Sequence, residues 1–293
     1  MDLKQLTYFV TIIKEGNISS AAKRLNMSQP PLSTQIRLLE EELGCVLFER
    51  GARHVQLTEA GRLLYNRAET ILEMSALTKQ EILDYKNGVH GTLRFGVVSS
   101  VISTVLKEWI TNFHTHYPDI QFHVVEGNTY ELIQQLRSNL IELAIVRTPF
   151  SIQDLNCVFF PPEPMLAVGH KKYFVNVSSD FISITELAGK PLILYQRWES
   201  LVHTCFSDAH MTPNIFCMND DARTTAYWAD SGLGIGILPA SGAGLLQNPD
   251  SICKKISDNR LNSSISIISN KNTYQSAIAK IFTEYVKEKN NSD

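Results

Sequence analysis

From Glu59 to about Lys86 the chain runs without a proline, and it carries Leu64, Ala68, Ile71, Leu72, Ile82 and Leu83. Apolar residues at offsets of three and four predict one long helix with a buried stripe. A helix of that length outreaches a small domain, so it divides the chain into a part before it and a part after it. Its stripe also calls for a partner, because a protruding helix with an apolar seam is stable only when the seam is covered. The 293 residues leave room for two or three domains.

The segment before the long helix reads as three short helices and a hairpin. Leu3, Leu6, Phe9, Val10 and Ile13 fall on one helix face. After the Gly16-Asn17 break, Ser19 is the expected cap of a short helix with Ala21, Ala22 and Leu25 inward, small enough for close helix approach. Asn26 and Met27 make a turn, and Ser28 caps a third helix with Pro30 and Pro31 in its first turn, where the missing amides cost nothing. Leu32, Ile36, Leu39 and Leu43 bury one side of that helix, while Gln29, Ser33, Thr34, Gln35 and Arg37 stand on the other. Gly44 ends it, and the β-prone runs CVLFER and HVQLT flank Gly51-Ala52-Arg53 as a hairpin wing, with Thr58 capping the long helix.

After Gly91 the pattern changes. TLRFGVVSS, IQFHVVE and ELAIVRT read as strands separated by helices near 101–116 and 129–139, which is the signature of a parallel α/β domain. MLAVGH, PLILY, NIFCMND, GLGIGILP and SISIISN follow, and then a last helix from Tyr274 to Lys287. Two α/β lobes with a cleft between them are expected.

Bulk properties restrict function. A net charge of -3 excludes a protein that coats nucleic acid nonspecifically, since that mode needs a large cationic excess. The first segment carries Lys4 and Lys14 around its apolar stretch without a small-residue cleavage site, and no later apolar run approaches the ~20 residues of a membrane span. The expected location is the cytoplasm, with no membrane partner. Cys45, Cys157, Cys205, Cys217 and Cys253 are scattered, so neither a disulfide framework nor a zinc site is suggested.

The run AAKRLNMSQPPLSTQIRLLEEELGCVLFERGARHVQLTEAG resembles the amino-terminal signature of the LysR-type transcriptional regulators. The matching positions include Ala21-Ala22, Leu25, Ser28-Gln29-Pro30, Ser33, Ile36, Leu39-Glu40, Gly44, Leu47-Phe48, Arg50, Leu57-Thr58 and Ala60-Gly61, and Pro31 stands where many members have alanine. The resemblance implies an α/β protein overall: an all-α winged helix-turn-helix with a long linker helix, then a two-lobed effector domain like the periplasmic binding proteins. The expected domains are 1–58 for DNA binding, 59–90 for the linker helix and hinge, and 91–293 for the effector. Lobe I would hold about 91–160 and 269–293, and lobe II about 161–268. The partners implied are double-stranded promoter DNA, a second copy paired through the linker helix, a tetramer built from such pairs, a small-molecule effector and RNA polymerase. No cofactor is implied.

A recognition helix offers short polar groups near its start, where it meets base edges. Ser28, Gln29, Pro30, Pro31, Ser33, Thr34 and Arg37 are the expected DNA-facing residues, with Arg50 and Arg53 reaching backbone or minor groove from the wing. Residues 1–58 hold seven lysines and arginines against six acidic residues, so one copy would bind weakly and two copies on adjacent half-sites would compound. In the effector domain, Ser99 and Ser100 precede a helix, Thr129 starts the next, and Arg147 ends the third strand, so all converge on one sheet edge. Tyr195, Gln196, Arg197 and Trp198 after PLILY, with Ala222 and Thr225 after NIFCMND, are the expected opposite wall. Free helix amides and Arg147 point to a small organic carboxylate, and the pattern GVVSS, GNT, AIVRT and ILY resembles members that answer to aromatic acids or their ring-cleavage products.

Three other readings are weaker. An enzyme would need a nucleophile with a base or paired carboxylates in context, and GLGIGILP precedes a strand instead of following one, which defeats nucleotide-loop geometry. His114 and His116 read as surface positions and no metal is expected. A secreted solute-binding protein would have no use for the first 90 residues. Redox sensing by Cys205 and Cys217 remains the alternative regulatory reading.

Overall fold

The structure is a computed structural model, and it describes residues 1–49, 55–86, 91–175, 177 and 179–290. The chain divides into two compact units, Met1–Lys86 and Asn87–Asp293.

The first unit holds α1 (Leu3–Glu15), α2 (Ile18–Arg24), α3 (Gln29–Leu43) and α4 (Glu59–Lys86). Asp2 and Gln5 form a capping box on α1, and the fully buried residues on its face are Leu6, Phe9 and Ile12, with Val10 close behind. Ile12 is buried beyond the expected set, Ile13 is half-buried against the same core, and Leu3 stays exposed because a first-turn residue extends past the small core. The cap of α2 is Asn17, which accepts from the Ser20 amide at 2.7 Å, and Ser19 lies within the helix. Ala21 and Ala22 let α1 and α3 approach, while Leu32, Ile36 and Leu39 complete the core and Leu43 is exposed. Gly44 ends α3 in the left-handed region at φ 66, a conformation that glycine adopts without strain.

Thr58 caps α4, accepting from the Gly61 amide at 3.0 Å and donating to the Val46 carbonyl at 2.7 Å. Gly61 is required here by contact: a Cβ would lie 2.2 Å from the Leu47 carbonyl oxygen. Of the expected hairpin, the pairing of Phe48 with Leu57 is described, and its turn lies outside the described residues. Leu64, Ala68 and Leu72 of α4 pack into the core of this unit, whereas Leu63, Ile71 and Ile82 are exposed in the single chain.

The second unit carries β1 (Gly91–Val97), α5 (Ser99–Val101), a π-turn at Ile102–Leu106, α6 (Lys107–His116), β2 (Ile120–Glu126), α7 (Thr129–Arg137) and β3 (Leu143–Arg147). The long strand β4 (Leu155–His170) leads to β5 (Phe181–Ile182), α8 (Ile184–Leu187), β6 (Pro191–Tyr195), α9 (Glu199–Asp208), β7 (Asn214–Asn219), α10 (Ala222–Asp230) and β8 (Ile235–Pro239). The chain closes with β9 (Ser251–Ile256), β10 (Asn262–Asn270) and α11 (Ala277–Asn290).

The strand order is β2-β1-β3-β10-β4-β8-β6-β7. β1 is parallel to β2 and β3, and β6 is parallel to β7 and β8, as the alternating pattern predicts. The two crossing strands, β4 and β10, run antiparallel to their neighbours, so the sheet is mixed and not wholly parallel. Only the second half of β4 is legible in sequence, since Pro161, Pro162 and Pro164 speak against a strand. They are tolerated beside a register shift between Ser264 and Ser266, where ladder amides are dispensable.

Two cores result. One gathers Phe95, Trp109, Phe113, Leu132, Ile145 and Phe282, and the other gathers Met165, Ile193, Trp198, Phe206, Ala226 and Ile237. β10 joins the first core from Ile265 onward, ahead of the boundary expected at 269. Gly236 brings α10 against β8, since a Cβ there would sit 3.0 Å from that of Ala229, so the glycine-rich run serves packing.

Candidate DNA-reading helix and effector cleft

α3 presents its first turns outward. Ser28, Gln29, Pro30, Pro31, Thr34 and Arg37 are exposed and Ser33 is half-buried. Ser28 occupies the cap position of α3 yet makes no side-chain capping bond. Such a cap accepts from the second or third helical amide, and here Pro30 and Pro31 have removed both. The Ser28 hydroxyl is thereby free to meet another acceptor or donor. Ser19 of α2 donates to the Gln29 amide oxygen at 3.2 Å, Thr34 donates to the Pro30 carbonyl at 3.0 Å, and Arg37 pairs with Glu41 at 2.6 Å. These are exposed contacts of small net worth, readily exchanged for contacts to a duplex. Arg50 and Arg53 lie outside the described residues.

The lobes of the second unit are tied across their cleft. Ser99 Oγ accepts from the Ala222 amide at 3.1 Å, and Arg223 of α10 bridges Glu126 at the end of β2 and Asp221 in its own lobe. Arg147 is 1% exposed and pairs with Glu163 of β4 at 2.5 Å, and it also donates to Ser100 Oγ at 2.8 Å and Ser241 Oγ at 2.5 Å. Burial pulls this guanidinium below its ordinary value, and Glu163 opposes the shift. Arg147 was expected to receive a ligand's carboxylate, but its carboxylate partner is Glu163, within the chain. The anion-binding helix terminus expected at Ser99 and Ser100 is likewise modest, because α5 spans three residues before the π-turn.

Between these ties lies a cavity of about 240 Å³ lined by Ser99, Glu126, Gly127, Asn128, Glu131, Tyr195, Asp220 and Asp221. Of the expected site residues, Ser99 and Tyr195 line it and Ala222 contributes its amide to Ser99. Thr129 is fully buried at the first position of α7, and its hydroxyl has no hydrogen-bond partner. Arg197 donates to the carbonyls of Arg147 and Pro149 and lies over the rings of Trp198 and Tyr130. Gln196 is exposed, Trp198 is buried in the second core, and Thr225 is a buried partner of Asn219 at 2.9 Å.

Sequence reasoning missed Glu126, Glu131, Asp220 and Asp221. Each sits at a strand end or helix start facing the cleft, the same signal that singled out Ser99 and Arg147, yet hydroxyls and cations were favoured over acids there. Burial pushes the Tyr195 phenol up. Arg197 opposes this, and Asp221, Asp220 and Glu131 add to it. Cys205 is buried and pushed up to about 11, by burial first and then by its hydrogen bond to Asp258. A thiol held protonated at neutral pH is a poor peroxide sensor.

The comparisons agree with this architecture. Residues 3–62 match the model described as "Bacterial regulatory helix-turn-helix protein, lysR family", and residues 86–291 match "LysR substrate binding domain". The chain belongs to the LysR family of transcriptional regulators. It is 30% identical over 249 residues to the uncharacterised regulator YybE of Bacillus subtilis, covering 82% of each chain. It is 31% identical over 255 residues to BsdA of the same organism, covering 82% of this chain and 84% of that one. Full-length CbnR, crystallised with its target DNA, superposes with a TM-score of 0.82 at 26% identity over 98% of this chain and 99% of that chain. These relatives are regulators, not enzymes. The protein is therefore a DNA-binding transcriptional regulator with an effector-binding domain, and among the described residues no helix is long and apolar enough to cross a membrane.

Proposed function

We propose that this regulator reads promoter DNA with the outward face of α3 and that a small molecule bound in the cleft between its lobes alters that reading. The observations that carry this are an exposed polar row, Ser28, Gln29, Thr34 and Arg37, in the first unit and a polar cavity between the lobes of the second. Gln29 is suited to an adenine edge, Arg37 to guanine or phosphate, and Ser28 and Thr34 to phosphate or a thymine methyl, with Arg50 and Arg53 at the backbone or minor groove. Ser33, with Pro30 and Pro31, shapes the approach of the helix start.

The near-balanced charge of the head favours two copies acting together. Leu63, Ile71 and Ile82 on α4 offer the apolar face for a homodimer, and pairs of dimers make the tetramer. RNA polymerase is the further partner of such a complex, in the cytoplasm where promoter DNA is found. The ligand acts by shifting an equilibrium between two arrangements of the assembly, favouring the one in which the lobes close on it.

On the ligand's class, two features weigh against the carboxylate expectation. Arg147 is held by Glu163, and the cavity is lined by four carboxylates. The likeness to regulators such as CbnR is a likeness of fold and does not transfer a ligand. The test of the functional reading is a footprint of the full chain on its own upstream intergenic DNA, beside a Gln29→Ala/Arg37→Ala variant. Extended protection by the parent protein and none by the variant at the same concentration supports the reading, while equal protection by both contradicts the role given to α3.

A further inference from the structure

We infer that the effector of this regulator carries a protonated amine or amidinium group, an inference that rests on the cleft being the effector site. The lining of the cavity holds Glu126, Glu131, Asp220 and Asp221 and neither lysine nor arginine. Arg223 answers two of these acids, bridging Glu126 and Asp221. Glu131 takes the Asn128 amide at 3.0 Å with one carboxylate oxygen as part of the α7 capping box, and its charge has no counter-ion among the described residues. Asp220 is exposed beside it and is likewise without one.

A second, independent feature points the same way. Tyr195 lines the cavity and is 6% exposed, and its hydroxyl makes no hydrogen bond among the described residues. Its ring is packed in the lobe while its oxygen is not among the enclosed unpartnered atoms, so the phenol offers its hydroxyl to the cavity, where a polar group of a ligand can replace water. A phenol oxygen between carboxylates accepts from an ammonium while its own proton turns to an acid. The remaining cations nearby are engaged elsewhere: Arg147 by Glu163, and Arg197 by two backbone carbonyls, with neither in the lining.

An anion entering this cavity would face the exposed carboxylates of Glu131 and Asp220, and repulsion from the two together shifts affinity by about ten-fold. An amine meets the same groups as attraction, and its charge neutralises the lining as the lobes close. Ligand charge is thus selected by repulsion as well as by contact.

The test is calorimetry of the full-length chain with benzamidine and with benzoate, which are alike in size and opposite in charge. Benzamidine is expected to bind at least about ten-fold more tightly, and the preference is expected to shrink by about ten-fold in an Asp220→Asn/Glu131→Gln variant, both changes retaining shape and cap. Benzoate binding as tightly or more tightly, absence of benzamidine binding, or a preference untouched by the double variant overturns the inference. Ser99→Leu, which fills the cavity, separates the two levels. If benzoate prevails and Ser99→Leu abolishes its binding, the cleft is the effector site and only the amine is wrong. If Ser99→Leu alters neither probe, the cleft reading falls and the inference with it. Asp220→Asn alone, on an exposed side chain, keeps the test available should the double variant or Ser99→Leu fail to fold.

Discussion

In the head, most of the side chains proposed to meet DNA, from Ser28 to Arg37, lie at the start of one helix, α3, on its exposed face and close together in sequence. In the effector domain, the cavity is assembled from Ser99, the Glu126–Glu131 segment, Tyr195 and the Asp220–Asp221 pair, which come from four separate strand ends. The head is convex and its polar groups are free or loosely paired, so its partner supplies most of the complementary charge. The cleft is concave and internally tied, so in the account proposed here its own ion pairs set the ligand charge it favours. A convex site can be read from one stretch of sequence, whereas a concave one is defined by which distant residues meet and which of them neutralise each other.

The largest expected effect tests the internal tie. Glu163→Ala would leave Arg147 buried without its counter-charge and should lower the stability of the effector domain by about 3 kcal/mol, with the head unaffected. Urea unfolding followed by separate probes in the two units checks this, and a loss shared equally by both would break the division drawn here. The converse change is Gly61→Ala. Its methyl meets the Leu47 carbonyl oxygen, and overpacking of that kind costs about 2 kcal/mol, felt in the head alone.

Smaller effects sharpen the account of α3. Arg37→Ala should weaken binding to every duplex alike and reduce the slope of log affinity against log salt by about one. Gln29→Ala should cost about 1–3 kcal/mol at a single base position and relax discrimination there. Titrations of a panel of single-substitution operators at three salt concentrations separate the two behaviours. If Gln29→Ala weakens all sequences equally, the adenine-edge assignment fails.

The smallest effect concerns Cys205. With its thiol pushed up to about 11, the folded form retains a proton that the unfolded chain gives up near 9, so its contribution to stability is full below pH 9 and fades as pH rises through about 11. At pH 7, Cys205 should resist iodoacetamide until the protein unfolds, and Cys205→Ser should leave DNA binding under peroxide unchanged. Rapid labelling in the folded state would revive redox sensing.

Much of the head was legible because its cues are local. Helical spacing, Gly44, the Pro30-Pro31 pair and Thr58 each act within a few residues of where they stand. The departures there are small: Ile12 is buried beyond the expected face, and the cap of α2 is Asn17, two residues before Ser19. In the effector domain the strands parallel to their neighbours were legible, while the first half of β4 was hidden by its prolines. The cleft's edge residues could be named from strand ends, but their partners could not. Arg147 and Glu163 lie on different strands, Arg223 and Glu126 on different lobes, and no spacing rule relates them. Charge at a site is a sum over such pairs, which is why strand-end residues alone suggest an anion while the paired side chains support the cation proposed above.

The measurement that bears most directly on the central claim is a mobility-shift titration of the full-length chain against its own upstream intergenic duplex and a scrambled duplex of equal length, at moderate salt. A sequence-specific regulator is predicted to prefer its own DNA by about a thousand-fold or more. Equal affinity for the two duplexes, falling together as salt is raised, would contradict it.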